Sequence, residues 1–515
     1  MKYFSHFLVK PNTVQLRDYQ TTISEKALNE NTLVILPTGL GKTAIALMVI
    51  AQRITGERKC VLVAPTKPLC EQHYEYFSKH LPYTSVRILT GEKPSHERLT
   101  EWNDAQVIIA TPQTLENDVK NKVYDFSSAS VLVVDEAHRA VGGYAYTYLS
   151  QEFQCTSNDP LILAMTASPG GNEEKVAGIK EALFISQVLS RNEESPDVKP
   201  YLHEKEIDRL YLDLPEPLRR ASDTFQSIIL DRIKQIRETG FKCSSQVSMR
   251  ELNRIKAEAT KLIGEQNGSG YQLAAVHAEL MKMKHAILVA ETQGILPLLK
   301  YMDKMSTDGT KSSKRIMSEP DIAYLYRDLT GLKQGEIHPK VLRLPAIVIN
   351  QLNRYPDSKI LIFASFRDTG KYISEVLKHQ GIKCSVFTGQ SARGKERGMS
   401  QKKQQEVIQK FRNNEFQVLI STSVGEEGLD IPSTDLIINY EPVSSEIRAI
   451  QRRGRTGRFA DGRILELITK NTLDETSLFI SQRKEEKMRA GITGSLREHL
   501  DINPTHDAYP DIITG

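Results

Sequence analysis

The sequence predicts an α/β chain: two parallel-sheet domains with an all-α helical domain inserted between them. Two observations carry that reading. Short runs rich in Val, Ile and Leu, each followed by turn residues and a longer amphipathic stretch, occur toward both ends of the chain. Strands alternating with helical patterns imply a parallel sheet covered on both faces. The middle lacks such runs and repeats apolar residues at three- and four-residue spacing, the mark of amphipathic helices.

The first set of strand-like runs covers 32–36, 59–64, 106–110, 130–134 and 160–165. A second set covers 359–363, 383–387, 417–421, 435–439 and 463–468. Between them, Leu218, Ala221, Phe225, Ile229, Ile233 and Ile236 mark one helix face, and 271–299 reads as another long helix, with breaks at 264–270 and 306–313. Lys and Arg moderately outnumber Asp and Glu there, which fits either a nucleic-acid-contacting arm or a solvated spacer. The expected domains are 1–205, 206–344 and 345–490, followed by a polar tail at 491–515.

Totals bound the function. The chain has 515 residues, 39% hydrophobic and 26% charged, an ordinary globular composition with room for three to four domains at ~150 residues each. No run of eighteen apolar residues suggests a membrane span, and the opening MKYFSHFLVK lacks an apolar signal core; the expectation is an intracellular, cytoplasmic chain. Its 5 cysteines form no CxxC pair, so reduced thiols are expected rather than a zinc site or disulfides. A net charge of +4 does not by itself argue for nucleic acid, because a basic channel can be offset by acidic faces elsewhere.

The sharpest local signal follows the first apolar run. Leu33-Val34-Ile35-Leu36 leads into Pro37-Thr38-Gly39-Leu40-Gly41-Lys42-Thr43, and a helical pattern starts at Ala44. Strand, glycine loop and helix N-terminus together make a phosphate cradle. Gly39 and Gly41 let backbone N–H groups approach a β-phosphate, Lys42 neutralises charge between β- and γ-phosphates, and the Thr43 hydroxyl can ligate Mg²⁺. The strict GxxxxGK[ST] pattern would place glycine where Leu36 stands; the match is to the shorter TGxGK[ST] form. A second acidic site follows the run Val131–Val134: Asp135-Glu136-Ala137-His138. Asp135 would hold Mg²⁺, directly or through water, Glu136 would orient and polarise a water, and His138 could relay between binding states.

With these motifs in order, the chain resembles superfamily 2 helicases over residues 14–480. More closely, it resembles the archaeal Hef helicase domain and its Fanconi-anaemia M relatives, which belong with the Dicer and innate RNA-sensor helicases. That resemblance implies two RecA-like lobes with a helical insertion, ATP and Mg²⁺ as cofactors, and 3′-to-5′ movement. Leu16-Arg17-Asp18-Tyr19-Gln20 is similar to the adenine-reading motif, with Gln20 pairing to the base and Arg17 stacking on it. Pro65 and Thr66, Gly91 and Thr111 match strand-tracking positions in the first lobe, as do Ser365 and Gly389 in the second; such residues hold phosphates without reading bases. Thr166 and Ser168 match the motif coupling hydrolysis to lobe movement. In Ser421–Asp430, Thr422 would touch the strand and Asp430 the ribose. Gln451-Arg452-Arg453-Gly454-Arg455-Thr456-Gly457-Arg458 matches QxxGRxGR, which makes Gln451, Arg455 and Arg458 the second lobe's catalytic contribution.

The function so implied is an ATP-dependent helicase or translocase on forked or branched DNA, serving repair of stalled forks. Its contacts would be mainly to the backbone, its candidate partners replication or repair proteins, and its location nucleoid-associated. The alternative is an RNA helicase or nucleotide-gated double-stranded RNA sensor. A protein-remodelling ATPase is disfavoured by the ordered strand-tracking motifs. No ERKxxxD nuclease signature follows the second lobe, so nuclease activity is not expected from these residues.

Overall fold

The computed structural model describes residues 2–56, 58–169, 173–201, 205–238, 240–244, 247–332, 338–389, 398–422, 431–456 and 462–497. The first lobe is a seven-stranded parallel sheet: β1 (Thr32–Ile35), β2 (Lys59–Val63), β3 (Val86–Leu89), β4 (Val107–Ala110), β5 (Ala129–Val134), β6 (Ile162–Thr166) and β7 (Gln187–Ser190), in the order β3-β4-β2-β5-β6-β1-β7. Helices α1 (Asp18–Ala27), α2 (Lys42–Arg53), α3 (Lys67–His80), α4 (Ser95–Asp104), α5 (Pro112–Lys120), α6 (Ala145–Thr156) and α7 (Glu173–Ala182) alternate with the strands. Successive strand residues face opposite sides. Val34, Leu62, Ile109 and Val133 enter one core, and Leu33, Val61, Ile108 and Leu132 the other. Burial on both sides is why these strands read as unbroken apolar runs. Strands β3 and β7 escaped that reading because they are edge strands, only partly buried.

The second lobe repeats the plan with six strands: β8 (Lys205–Leu212), β9 (Ile360–Phe363), β10 (Cys384–Phe387), β11 (Val418–Ser421), β12 (Leu436–Asn439) and β13 (Gly462–Thr469), ordered β10-β11-β9-β12-β13-β8. The expected boundaries shift at both ends of the insertion. Strand β8 pairs with β13 along its whole length, Lys205 opposite Gly462 through Leu212 opposite Thr469, so 205–212 belong to the second sheet rather than to the insertion. Its interleaved charges concealed it; they pair across the edge, Asp208 with Arg463 and Arg209 with Glu466.

The insertion comprises α8 (Glu216–Glu238), α9 (Met249–Gly264), α10 (Gly268–Thr292), α11 (Ile295–Thr307), α12 (Lys311–Met317) and α13 (Pro320–Gly331) around one apolar core. The predicted stripe on α8 is buried at every position named above. The single helix expected over 271–299 is two, α10 and α11, parted at Gly294. That residue has φ 100°, and a Cβ there would approach the His338 Cβ to 3.1 Å. The break expected at 264–270 shrinks to three residues, since α9 ends at Gly264 and α10 starts at Gly268.

Helix α14 (Pro339–Arg354) already belongs to the second lobe, packing Val341, Leu344 and Val348 into its core. It is followed by α15 (Arg367–His379), α16 (Gln401–Arg412), α17 (Glu446–Arg453) and α18 (Leu473–Arg497). The tail expected from 491 is therefore helical as far as Arg497; 498–515 lie outside the described residues. Among the described residues no helix is long and apolar enough to cross a membrane, and the cysteines are free thiols.

Candidate nucleotide site and strand-contacting edge

The phosphate loop leaves β1 at the C-terminal edge of the first sheet and ends in α2. Gly41, the residue before α2, has φ 75°, and a Cβ on it would lie 2.3 Å from Gln20 Nε2. The left-handed backbone thus favours glycine here, and a side chain would also displace the Gln20 amide. No side chain caps α2, and the N-terminus of such a helix favours an anion. Gly39 is also left-handed, φ 90°. The Lys42 ammonium donates to the Leu36 carbonyl at 2.9 Å, folded back over its own loop.

Gln20 lies against that loop, 2% exposed, with Nε2 donating to the Leu40 carbonyl at 3.1 Å. Its Oε1 is buried without a hydrogen-bond partner, an orphan acceptor suited to a base amine. Arg17 donates to the Tyr19 hydroxyl at 3.2 Å and lies 5.2 Å from the centre of the Tyr201 ring. Tyr19 in turn meets Tyr201 edge-on at 5.8 Å and donates to the Leu40 carbonyl at 2.7 Å. Tyr201 was not a sequence candidate. It comes from the end of the first lobe, and no local pattern marks it.

Strand β5 delivers the acidic pair. Asp135 is buried; Oδ2 meets His73 Nε2 at 2.9 Å, Oδ1 accepts the Glu136 amide at 2.9 Å, and its carbonyl accepts the Tyr146 hydroxyl at 2.7 Å. Burial pushes its carboxyl upward, but the His73 hydrogen bond and the charges of His73 and Lys42 outweigh that and hold it below the ordinary aspartate value. Glu136 adopts φ 49°, a strained left-handed conformation for a non-glycine residue. Its buried Oε2 lacks a hydrogen-bond partner and lies 3.2 Å from His138 Nδ1. His138 Nδ1 also meets Thr166 Oγ1 at 3.1 Å, Thr166 Oγ1 donates to the Ser168 carbonyl at 3.0 Å, and the Thr166 carbonyl accepts the Leu36 amide at 3.1 Å. The predicted coupling residues thus form one chain from the DEAH segment to the phosphate loop.

The described residues hold no cluster of three or more His, Cys, Asp or Glu side chains able to bind a metal. Asp135 and Thr43 could hold Mg²⁺ only with phosphate oxygens and water, which is how this cation is usually bound.

The second lobe reaches this site through α17. A Cβ on Gly454 would lie 2.5 Å from Thr38 Cβ, so the helix end abuts the phosphate loop, beside a cavity of about 270 Å³ lined by Pro37, Thr38, Arg453, Gly454 and others. Gln451 and Arg455 are buried, 7% and 8% exposed. Asp430 and Arg458 lie outside the described residues. Arg452 is architectural: it donates to the Glu441 carbonyl at 2.9 Å and sits 4.9 Å from the Phe363 ring centre.

The strand-tracking candidates line the same sheet edge in each lobe. Thr66 and Thr111 precede α3 and α5, and a Cβ on Gly91 would meet Thr114 Oγ1 at 3.6 Å. In the second lobe the Ser365 amide donates to Glu441 at 2.8 Å, the Gly389 carbonyl accepts Arg367 at 3.1 Å, and the Thr422 amide donates to the Phe387 carbonyl at 3.2 Å. The lobes also touch here: Gln401 and Gln405 donate to Glu71 at 3.2 and 2.9 Å.

Comparison with known proteins agrees with this geometry. Residues 17–176 match the DEAD/DEAH box helicase family, 340–460 the helicase conserved C-terminal domain, and 218–329 a family described as "Putative ATP-dependent RNA helicase, helical bundle". A Methanocaldococcus jannaschii protein named "Putative ATP-dependent RNA helicase MJ1505" is 38% identical over 95% of this chain and 62% of its own length. The ATP-dependent DNA helicase MPH1 of Pyricularia oryzae is 36% identical over 98% of this chain and 47% of its own. The chain thus spans about half to three-fifths of these relatives. The crystal structure of the Pyrococcus furiosus Hef helicase domain is similar with a TM-score of 0.71 and 38% identity, covering 92% of this chain and 100% of that one. On motif order, two-sheet architecture and this similarity, the chain belongs to the superfamily 2 DEAD/DEAH-box helicases, in the group of Hef and Mph1.

Proposed function

We propose that the chain is an ATP-driven DNA helicase or translocase that favours forked or branched DNA. The observation that supports this best is the abutment of Gly454 on Thr38, with Gln451 and Arg455 on the same stretch of chain. In this reading Lys42, Thr43, Asp135 and Glu136 come from the first lobe and Gln451, Arg455 and Arg458 from the second. Neither lobe completes the site alone, so bound ATP favours the closed arrangement and its hydrolysis releases it. Thr43 and Asp135 would hold Mg²⁺, which supplies charge neutralisation at the phosphates. Glu136 would hold the attacking water, Gln20 and Arg17 the adenine, and Asp430 the ribose. His138, Thr166 and Ser168 would pass the state of the site to the lobe edge.

Pro65, Thr66, Gly91, Thr111, Ser365, Gly389 and Thr422 would grip one strand through its phosphates. Sequence preference should be slight, and binding should weaken with salt. DNA is favoured over RNA by the MPH1 name; the name of the M. jannaschii protein favours the RNA reading. Action at stalled forks, association with replication or repair proteins and a nucleoid location follow from the DNA reading. The test is ATP turnover with forked DNA, single-stranded DNA and double-stranded RNA at equal salt. The greatest stimulation is expected from forked DNA; stimulation by RNA alone rejects the DNA reading.

A further inference from the structure

We infer that His73 is a positioning residue through which helix α3 carries strand binding to the Mg²⁺-side carboxylate of Asp135. The inference rests on the proposed strand contacts and adds the route by which they reach the nucleotide. Helix α3 begins directly after Thr66 on the strand-contacting edge. Seven residues on, about 10 Å along a rigid helix at 1.5 Å per residue, its His73 Nε2 stands 2.9 Å from Asp135 Oδ2.

Two features make this contact more than core packing. His73 is 4% exposed, and its Nδ1 is buried without a hydrogen-bond partner, so Asp135 is the ring's polar anchor. Asp135 in turn draws its other side-chain bond from its own loop, through the Glu136 amide. A displacement of α3 along its axis therefore shifts one of the two bonds that orient the carboxylate and leaves the other in place. The second lobe touches the same helix: Gln401 and Gln405 of α16 donate to Glu71, two residues before His73. Strand grip at Thr66 and lobe closure at Glu71 thus converge on one rigid element that meets the acidic pair through His73. Because coupling between two sites is reciprocal, a nucleotide that fixes Asp135 also fixes the edge.

The test measures binding. The full chain is titrated with a fluorescent non-hydrolysable ATP analogue, with and without saturating single-stranded DNA, in Mg²⁺ and again in EDTA. Wild-type protein should bind the analogue more tightly with DNA in Mg²⁺, by a factor within the usual range of about 5–150, and less so in EDTA. His73→Ala should bring that factor close to one. His73→Gln, whose amide nitrogen reaches the Nε2 position, should restore it. If His73→Ala melts early, His73→Leu keeps the buried volume and carries the same expected loss. A wild-type factor retained in His73→Ala or His73→Leu overturns the inference, as does a well-folded His73→Gln that restores nothing. A wild-type chain that binds DNA but whose nucleotide affinity ignores it overturns this inference alone, whereas a chain that binds no single-stranded DNA overturns the strand-contact reading.

Discussion

The two lobes share an architecture and differ in what they do with buried polar groups. In the first, Gln20, His73, Asp135 and Thr166 are buried around the phosphate loop, and acceptors such as Gln20 Oε1 and Glu136 Oε2 lack hydrogen-bond partners. In the second, Lys340 and Asp474 are 0% and 2% exposed and joined to each other, and Lys340 also donates to the Tyr440 carbonyl at 2.7 Å. Arg452 likewise ties the ends of β9 and β12, and the acceptor left over there, Glu441 Oε1, is buried away from the phosphate loop. An unfinished acceptor beside a phosphate cradle can be completed by a ligand. A lysine locked to an aspartate at a helix junction holds the fold and offers a ligand nothing.

That contrast can be broken by mutation. The largest effect is expected at the shared site: Lys42→Ala should abolish ATP turnover, and Arg455→Ala should lower it by about 10³ or more, the scale of an arginine that stabilises transition-state charge. Phosphate-release kinetics check both, and normal hydrolysis by either variant removes that residue from the site. Next, Lys340→Ala should destabilise the second lobe by about 3–5 kcal/mol, because it strands a buried carboxylate. Thermal melting should report this as a lowered second-lobe transition; an unchanged melt means the pair carries no structural weight.

A pH effect should come from the same junction. Burial first, and the charge of Lys340 second, depress His338 to about 3, against 6.5 for a free histidine. The unfolded chain therefore binds a proton between these values that the folded chain refuses. The stability His338 contributes is complete above about pH 6.5 and is lost as pH falls toward 3. Denaturant midpoints across this window should drop less steeply in His338→Gln. The smallest effect is expected at Tyr201→Ala, which removes the ring beside Arg17. A cation–π contact at a partly exposed site is worth about 0.5–1 kcal/mol, so nucleotide affinity should weaken only a few-fold in a direct titration.

Most of the candidate site was legible because its chemistry is local in sequence: a glycine loop after a strand, an acidic pair after a strand, arginines at fixed offsets from glycines, of which Arg458 lies outside the described residues. The interior strands were legible because burial on both faces leaves continuous apolar runs. What escaped depends on partners distant in the chain. Strand β8 carries alternating charges that make sense only beside Arg463 and Glu466. His73 reads as an ordinary helical residue until Asp135 is beside it, and Tyr201 gains meaning only under Arg17. The helical break at Gly294 is set by the approach of His338, which no local spacing encodes.

The route of the backbone has a mechanical corollary. Because β8 joins the second sheet before α8 begins, and α14 rejoins the same lobe after α13, both roots of the helical bundle sit on one body. The bundle must ride as a passenger whenever that body swings.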